Sequence, residues 1–270
     1  MTETTGSDGF DRLLAHIEDN LAFESSHYND AYLDRRISAR MRRRGADTYG
    51  EYLDLLRADD DEPEALLDSL SINVTGFFRN PEVWTEIRDL LRELTASGRT
   101  RVWSAPCSDG REPYSLAMLA LDDDEIRTRR LEIVGSDINE DVLDRARNGV
   151  YQTTRTTDIE AELEPLSDAS AYVDREEDSF EVVQSVKDLV TFRQHDLIRD
   201  DPETGMDLVL CRNLLIYINS ASKRSVVETV VSSLEAGGYL VVGMTETLPR
   251  ECKSSVTPVN KRRRVYRKVD

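Results

Sequence analysis

The stretch Arg101–Ala120, RVWSAPCSDGREPYSLAMLA, predicts a strand, a loop and a helix in immediate succession. Val102, Trp103 and Ala105 suit a short buried strand, and five turn-forming residues suit a loop: Ser104, Pro106, Ser108, Asp109 and Gly110. Glu112, followed by a proline, opens a helix with apolar residues at helical spacing. In an open α/β sheet, ligands bind beyond the carboxyl ends of the strands. We therefore expect the loop to hold a cofactor, although an ordinary strand-to-helix turn would have the same pattern.

A second strand and helix follow directly. Residues 131–137, LEIVGSD, form an apolar stretch that ends in an acid before the helix-like segment 138–147. An acid at the tip of the second strand is where nucleotide-type cofactors have their ribose hydroxyls bound. Asp137 is therefore the predicted ribose ligand. Further apolar stretches at 206–211 and 239–243 continue the alternation of strands and helices, which favours an α/β sheet.

The composition excludes several partners. Among 270 residues, 53 acids outnumber 35 bases, giving a formal charge of −18. Such a surface repels nucleic acid and anionic membranes, so we expect neither as a partner. The chain has no run of eighteen apolar residues and starts with a polar segment, so neither a membrane span nor a signal peptide is predicted.

The three cysteines are odd in number and far apart: Cys107, Cys211 and Cys252. This spacing indicates neither a disulfide framework nor a metal site. Free thiols favour a reducing compartment, so we expect a cytoplasmic protein without a bound metal.

The N-terminal part is predicted to be helical and carries a basic cluster. Six arginines fall between residues 35 and 44 with no acid among them. Arg36, Arg40 and Arg43 share one stripe of the helix predicted over Tyr32–Ala46, which suits a docking site for an acidic partner. The alternative is a solvated helix face that forms ion pairs with the acids of residues 58–64.

Four further segments complete the chain. The link 73–81 interleaves polar side chains with aromatic ones, which suits a buried segment that faces a ligand. The glycine-free stretch 151–203 is interpreted in part as an insertion, with strands at 180–183 and 189–193. Beyond it, a helix over 220–236 is expected to close at its two following glycines. Residues 252–256 and 263–269 are predicted to form an antiparallel pair.

Taken together, these motifs resemble the CheR family. Its members are S-adenosylmethionine-dependent methyltransferases that esterify glutamates of bacterial and archaeal chemoreceptors. The match runs from about Tyr32 to the C-terminus. Four segments carry it: NVTGFFR at 73–79, WSAPCSDGREPYS at 103–115, SDI at 136–138 and CRNLLIY at 211–217.

The resemblance implies an α/β fold with a Rossmann-like class I methyltransferase sheet of seven strands, the last one antiparallel. It implies an all-α N-terminal domain over residues 1–80, used for receptor docking, and a methyltransferase domain over 81–270. A small β subdomain is expected to be inserted at about residues 152–195.

The resemblance also implies the cofactor and its site. S-adenosyl-L-methionine is the expected methyl donor and S-adenosyl-L-homocysteine the product. Arg79 and Tyr217 are expected nearest the methyl group, as catalytic residues. The implied cofactor-binding residues are Asn73, Thr75, Arg79, Glu112, Asp137, Asp196, Leu197, Arg212 and Asn213.

The chain departs from the family pattern in three places. Arg111 stands where an acid or amide is more usual, and Asp196 stands where an asparagine is common; neither change alters the predicted fold. Some members bind a tethering peptide of the receptor in a groove of the inserted subdomain. The absence of glycine from this insertion argues against such a groove.

The implied activity is methyl transfer to glutamate carboxylates on the cytoplasmic helices of chemoreceptors, giving methyl esters. A monomer recruited to membrane receptor clusters is expected. Two alternatives stay open: a non-catalytic cofactor-binding scaffold, and a methyltransferase of another protein substrate. Pro106-Cys107 lies in the first loop, which is the wrong place for the nucleophile of a cytosine methyltransferase. Arg212–Leu215 replaces the Pro-Pro-Tyr-like turn of amine methyltransferases.

Overall fold

The computed structural model describes residues 4–21, 23–70 and 75–269. The chain folds into two compact units. The first comprises Met1–Asn73 and Tyr217–Ser222, and the second comprises Val74–Ile216 and Lys223–Asp270. The link 75–80, which the predicted boundary assigns to the N-terminal domain, therefore packs with the second unit. No helix within the described ranges is both long and apolar enough to cross a bilayer.

The first unit is helical. Its α-helices are α1 (Thr4–Asn20), α2 (Asp30–Arg44), α3 (Tyr49–Ala58) and α4 (Glu62–Leu70), with a 3-10 turn at Ser25–His27. Gly45, at φ 72°, ends α2 in the left-handed conformation that glycine adopts without strain. Thr48 starts α3 by accepting a hydrogen bond from the Glu51 N–H. A core of buried side chains, including Leu33 and Ile37 of α2, joins these helices.

The short segment Tyr217–Ser222 belongs to the helical unit. Ile218 forms an antiparallel bridge with Tyr28. The Asn29 N–H donates to the Tyr217 carbonyl over 2.9 Å, and the Asn219 N–H donates to the His27 carbonyl over 3.0 Å. A stretch that is distant in sequence thus completes the helical unit.

The second unit has a seven-stranded sheet and a three-stranded one. The strands in chain order are β1 (Thr100–Ser104), β2 (Leu131–Asp137), β3 (Val150–Gln152), β4 (Val173–Glu176), β5 (Ser179–Val182), β6 (Val190–Gln194), β7 (Met206–Cys211), β8 (Leu234–Val242), β9 (Val256–Asn260) and β10 (Val265–Lys268). The helices of this unit are α5 (Pro81–Ser97), α6 (Arg111–Leu121), α7 (Glu140–Asn148), α8 (Ile159–Glu162), α9 (Gln184–Lys187) and α10 (Ser220–Ser233), whose residues 220–222 belong to the first unit.

The large sheet has the order β6-β2-β1-β7-β8-β10-β9. Strands β6, β2, β1, β7 and β8 are parallel, and β10 is antiparallel to β8. Chain order runs outward from β1 in one direction and then, from β7, in the other. The crevice at such a reversal is where open α/β sheets bind ligands. The predicted sheet of seven strands with an antiparallel last strand is confirmed.

Some predicted elements are wrong in detail. Gly237 and Gly238 lie inside β8 and do not end the preceding helix. A Cβ on Gly238 would lie 3.1 Å from the Asp207 carbonyl, so close approach of β7 explains this glycine. Residues 251–255 form a 3-10 helix, and the strand predicted there begins only at Val256. Strand β6, included in the predicted insertion, pairs with β2 in the large sheet. The separate small sheet consists of β3, β5 and β4.

Candidate active site

The loop 105–110 joins β1 to α6 at the carboxyl edge of the parallel strands. Gly110 precedes α6 at φ 87°, and Ser108 has a φ of 50°. A Cβ on Gly110 would lie 2.7 Å from the Cβ of Ala146, so the loop packs directly on α7. Positive φ and close approach both favour glycine at this position. The loop expected to hold a cofactor thus lies where the strand order reverses.

Asp137 ends β2 beside this loop. Its Oδ2 accepts a hydrogen bond of 2.9 Å from the Ser108 N–H, and its Oδ1 accepts one of 3.1 Å from the Asn139 N–H. Burial raises the pKa of the carboxyl, although these backbone donors favour the charged form. No ion pair reaches Asp137 from the residues that the structure describes. It is thus an oriented, desolvated acceptor suited to neutral hydroxyl donors.

A buried ion pair joins α6 to the end of β7. Arg212 Nη1 donates to Glu112 Oε2 over 2.8 Å, and the Ser104 hydroxyl donates to Glu112 Oε1 over 2.8 Å. The Arg212 side chain is only 1% exposed. Because a charge this deeply buried requires its partner, Glu112 and Arg212 hold α6 against the residue that follows β7.

Arg212 also holds the segment that contains Arg79. Its Nη2 donates to the Arg79 carbonyl over 2.7 Å, and the Trp84 indole N–H donates to the same oxygen over 3.1 Å. Phe78 and Asn80, on either side of Arg79, have positive φ values of 46° and 58°. Such conformations cost of order 1–3 kcal/mol each and persist where surrounding contacts enforce them. The backbone at Arg79 is therefore braced in one conformation.

Asn213 follows β7 and is held by a carboxylate that the sequence did not single out. Glu246 is 2% exposed. It accepts hydrogen bonds from the N–H groups of Asn213 at 2.9 Å, Gly243 at 2.6 Å and Ile216 at 3.3 Å. Burial raises its pKa. A Cβ on Gly243 would lie 2.5 Å from Glu246 Oε2, so glycine makes room for the carboxylate.

Asp196 and Leu197 follow β6. The Asp196 carboxylate accepts from the Ile198 N–H at 2.8 Å and from the Arg199 N–H at 3.3 Å, so it caps its own turn. Leu197 is buried. The preceding residue, His195, donates its N–H to the Asp137 carbonyl over 3.0 Å, which ties this turn to the tip of β2.

The unusual Arg111 has structural partners. It donates to Asp109 Oδ2 over 3.0 Å and lies 3.5 Å from Glu162 Oε2. Glu162, in α8, also accepts from the Phe77 N–H over 2.8 Å. A Cβ on Gly76 would lie 2.9 Å from Glu162 Oε1. The residue that departs from the family pattern thus links the loop, the link 75–80 and the stretch predicted as an insertion.

Tyr217 lies in the helical unit, and its ring packs 4.9 Å from that of Tyr32. Tyr32 in turn lies 5.9 Å from Tyr28, whose ring stacks 4.9 Å from Phe23. The Tyr32 hydroxyl donates to the Leu70 carbonyl over 2.9 Å. An aromatic series within the helical unit therefore supports Tyr217.

The arginines of α2 have unequal surroundings. Arg40 forms two hydrogen bonds of 2.7 Å with the fully buried Glu62. Arg43 is exposed, and the ion pairs of the described residues do not include it. Arg36 is half-buried, with its guanidinium carbon 5.5 Å from the Tyr32 ring centroid. The predicted docking stripe therefore contains a structural residue, Arg40.

The structure brings together Glu112, Arg212 and the backbone of Arg79, and it ties Asp137 to the loop. Thr75 is half-buried in the link, and Asn73 lies outside the described residues. Sequence reasoning assigned no role to Glu246, and it named Ile138 only as part of the motif at 136–138. Ile138 is 55% exposed directly after Asp137. Its position after the strand acid could have marked it as apolar ligand surface, whereas nothing local signals the long-range role of Glu246.

Comparison with known proteins identifies the family. Residues 73–265 match the family model for the CheR methyltransferase, SAM binding domain. Residues 8–71 match that for the CheR methyltransferase, all-alpha domain. The predicted family, fold class and cofactor are confirmed.

Similar proteins span most of the chain. The chemotaxis protein methyltransferase of Listeria monocytogenes is 32% identical over 235 residues, which cover 86% of this chain and 87% of that protein. Chemotaxis protein methyltransferase 2 of Vibrio cholerae is 29% identical over 230 residues, covering 81% and 78%. The chemotaxis protein methyltransferase of Borreliella burgdorferi is 27% identical over 255 residues, covering 89% and 88%. The chain therefore belongs to the CheR methyltransferase family, with an S-adenosylmethionine-binding methyltransferase domain preceded by an all-α domain.

Proposed function

We propose that this methyltransferase esterifies glutamate side chains of chemoreceptors. The observation that carries the proposal is the presence of both family domains, including the all-α domain at residues 8–71. Relatives that match most of the chain are named chemotaxis protein methyltransferases. An ordinary cofactor-binding scaffold would need only the second domain. The braced Arg79 segment further favours an enzyme over a scaffold.

The residues at the sheet edge fit S-adenosylmethionine. Asp137 offers a carboxylate without a cationic partner among the described side chains, which suits two ribose hydroxyls. The exposed Ile138 offers apolar surface next to it for a flat base. The N-terminus of α6 opens onto the same loop. Glu112, Arg212 and Asn213 complete the proposed cofactor surroundings, with Thr75, Leu197 and Asp196 at its margin and Asn73 assigned by resemblance.

The chemistry requires alignment more than proton transfer. When bound, S-adenosylmethionine would supply a sulfonium methyl to the acceptor carboxylate oxygen, and the electron pair of the C–S bond would remain on sulfur. No general base is needed, because an unperturbed glutamate has a pKa of about 4.3 and is already ionised at neutral pH. In well-oriented reactions, holding the reactants in line can contribute on the order of 7–11 kcal/mol to catalysis.

Arg79 and Tyr217 are the proposed catalytic residues. The Arg79 guanidinium would hold a carboxylate, either that of the acceptor or that of the cofactor, and its braced backbone limits where the charge can lie. The Tyr217 hydroxyl would orient the acceptor oxygen. Packing against Tyr32 gives the Tyr217 ring a fixed support.

The acceptor is proposed to be an acidic helix of the cytoplasmic part of a receptor. A chain of charge −18 repels such a helix unless it presents a local basic surface. Helix α2 provides one through the exposed Arg43 and the half-buried Arg36, whereas Arg40 is held by Glu62. We expect a cytoplasmic monomer that is recruited to receptor clusters.

The test is methyl transfer itself. The protein is incubated with methyl-labelled cofactor and a receptor cytoplasmic fragment, and the labelled product is treated with alkali. Esters release labelled methanol, whereas N-methyl and C-methyl products retain the label. Base-stable label, or no label on any receptor fragment, would contradict glutamate O-methylation.

A further inference from the structure

A second basic cluster lies in the methyltransferase unit. Residues 261–264, Lys-Arg-Arg-Arg, form the turn between β9 and β10. We name them the basic turn. Four successive cations are unexpected in a chain with 53 acids and 35 bases. None of the proposed cofactor residues lies in this turn, so the candidate site does not explain it.

The sheet register places the basic turn at the carboxyl ends of the parallel strands, where the candidate site also lies. Strand β10 is antiparallel to β8, and Val265 pairs with Val241 near the end of β8. The start of β10 therefore lies at the carboxyl end of β8. Asp137 and Asn213 lie at the carboxyl ends of β2 and β7, which are parallel to β8. The basic turn, Asp137 and Asn213 therefore all lie at the carboxyl ends of the parallel strands.

Contacts on two sides brace the basic turn. Arg263 Nη1 lies 3.4 Å from Glu86 Oε2, and the Asn260 amide donates to the same carboxylate over 2.8 Å. Arg264 Nε donates to the Met244 carbonyl over 3.3 Å. Glu86 belongs to α5, which begins two residues after Arg79. Met244 lies in the turn through which Glu246 holds Asn213. Both contacts of the basic turn are therefore with elements that adjoin candidate-site residues: α5 follows Arg79, and the turn with Met244 supports Asn213.

The tip of the turn has no such partners. Lys261 and Arg262 are exposed, and neither takes part in a hydrogen bond or an ion pair with any residue of the described ranges. Arg263 and Arg264 are anchored by their contacts, and the two residues before them in the turn expose their cations to solvent. Cations presented on a fixed turn lose less entropy on binding than cations on a mobile one.

We infer that Lys261 and Arg262 form a second docking surface, which binds acidic side chains of the receptor segment next to the acceptor glutamate. The inference rests on the proposed function for the identity of the partner. Charge complementarity selects an acidic peptide, and the charge of −18 disfavours the larger negative field of nucleic acid. Whereas α2 provides cations from the helical unit, the basic turn provides them on the edge that holds the cofactor residues.

The test reverses the tip of the turn in the full-length protein. Lys261→Glu/Arg262→Glu should raise the KM for an acidic receptor fragment about five- to tenfold, because two exposed attractions become repulsions. The Kd for S-adenosylmethionine and kcat at saturating receptor should stay native. A matched control is Arg127→Glu/Arg129→Glu. It changes two exposed arginines just before β2, at the amino ends of the parallel strands. The control should keep the native KM.

Direct binding separates this inference from the proposed function. The Kd of a fluorescent acidic helical peptide is measured by anisotropy for the native protein and both double variants, with duplex DNA and anionic vesicles as further ligands. Weaker peptide binding only in the basic-turn variant supports the surface, even if no methyl transfer is detected. Native peptide affinity in that variant overturns the inference, as does a loss confined to DNA or vesicles.

Discussion

Arg40 and Glu62 form a bidentate ion pair inside the helical unit, with both N–O distances at 2.7 Å. The Tyr52 hydroxyl donates to the same carboxylate over 2.6 Å, and Arg44 lies 3.4 Å from it. The sequence left two interpretations of the α2 arginines open, docking or ion pairing with the acids of 58–64. The ion-pair interpretation is correct for Arg40 and Arg44.

Removing Arg40 should destabilise the protein. Arg40→Ala leaves the fully buried Glu62 carboxylate without its closest cation, at a cost of about 3–5 kcal/mol in the free energy of unfolding. Chemical denaturation of the full-length protein measures this loss of stability. Arg43→Ala, on the exposed side of the same helix, should change stability by less than about 0.5 kcal/mol. Equal effects of the two substitutions would rule out a structural role for the pair.

The Arg40–Glu62 pair should make the free energy of unfolding depend on pH. Burial opposes ionisation of Glu62, but hydrogen bonds from Arg40 and Tyr52 outweigh it and lower the pKa of the carboxyl. A lowered pKa gives stability that is present above the unfolded value of about 4.3 and is lost as the pH falls through the folded value. The stability advantage over Glu62→Gln should therefore shrink below about pH 4.3. An advantage that does not vary between pH 7 and pH 3 would contradict this assignment.

Asp137→Ala should weaken cofactor binding. A charged acceptor to ribose hydroxyls would be lost, at roughly 1.5–3 kcal/mol for each hydrogen bond. Titration calorimetry with S-adenosylmethionine measures the Kd. Asp141→Ala provides the control, since this exposed acid lies in the first turn of α7 just beyond the strand end. Native affinity in a folded Asp137→Ala protein would remove Asp137 from the site.

Arg79→Ala and Tyr217→Phe should each lower kcat more than they weaken cofactor binding. Both side chains are proposed to act on the transferring methyl or its acceptor, so their interactions strengthen in the transition state. Rates at saturating cofactor and receptor are compared with calorimetric Kd values. Tyr266→Phe, in a partly exposed tyrosine of β10, is the matched control. A variant that turns over at the native rate would have a packing role only.

Reversing Arg36 and Arg43 to Glu, with Arg40 left intact, should raise the KM for receptor about fivefold or more, since attractions at the exposed Arg43 and the half-buried Arg36 become repulsions. The cofactor Kd and the melting temperature should change little. Added salt should reduce the difference between native and variant enzyme, because exposed charges are screened over about 8–10 Å at ordinary ionic strength. Arg57→Glu on α3 is the control. A native KM in the double variant would leave α2 as a solvated face.

Sequence patterns predicted the strands and loops whose residues follow a short-range apolar or turn-forming pattern. The apolar run before Asp137 and the small residues of 104–110 indicated a strand end and a loop, because burial and turn formation act on neighbours in sequence. The spacing on α2 could not separate Arg40 from Arg43, because both lie on one stripe and only α4 distinguishes them. Glu246 was missed for a similar reason, since its partners include residues about thirty positions away. Strand β4, VDRE, buries only its first residue, so it lacks an alternating pattern.

The contacts of residues 217–222 affect folding during synthesis and the choice of truncated proteins. The helical unit leaves the ribosome long before this segment, which supplies its bridge to Tyr28 and its packing on Tyr32. Until then, that face of the unit stays uncovered during synthesis. A truncated protein that starts at residue 81 would leave Ile218, 2% exposed in the native protein, without its partners. A methyltransferase domain expressed alone would therefore expose this apolar segment to solvent.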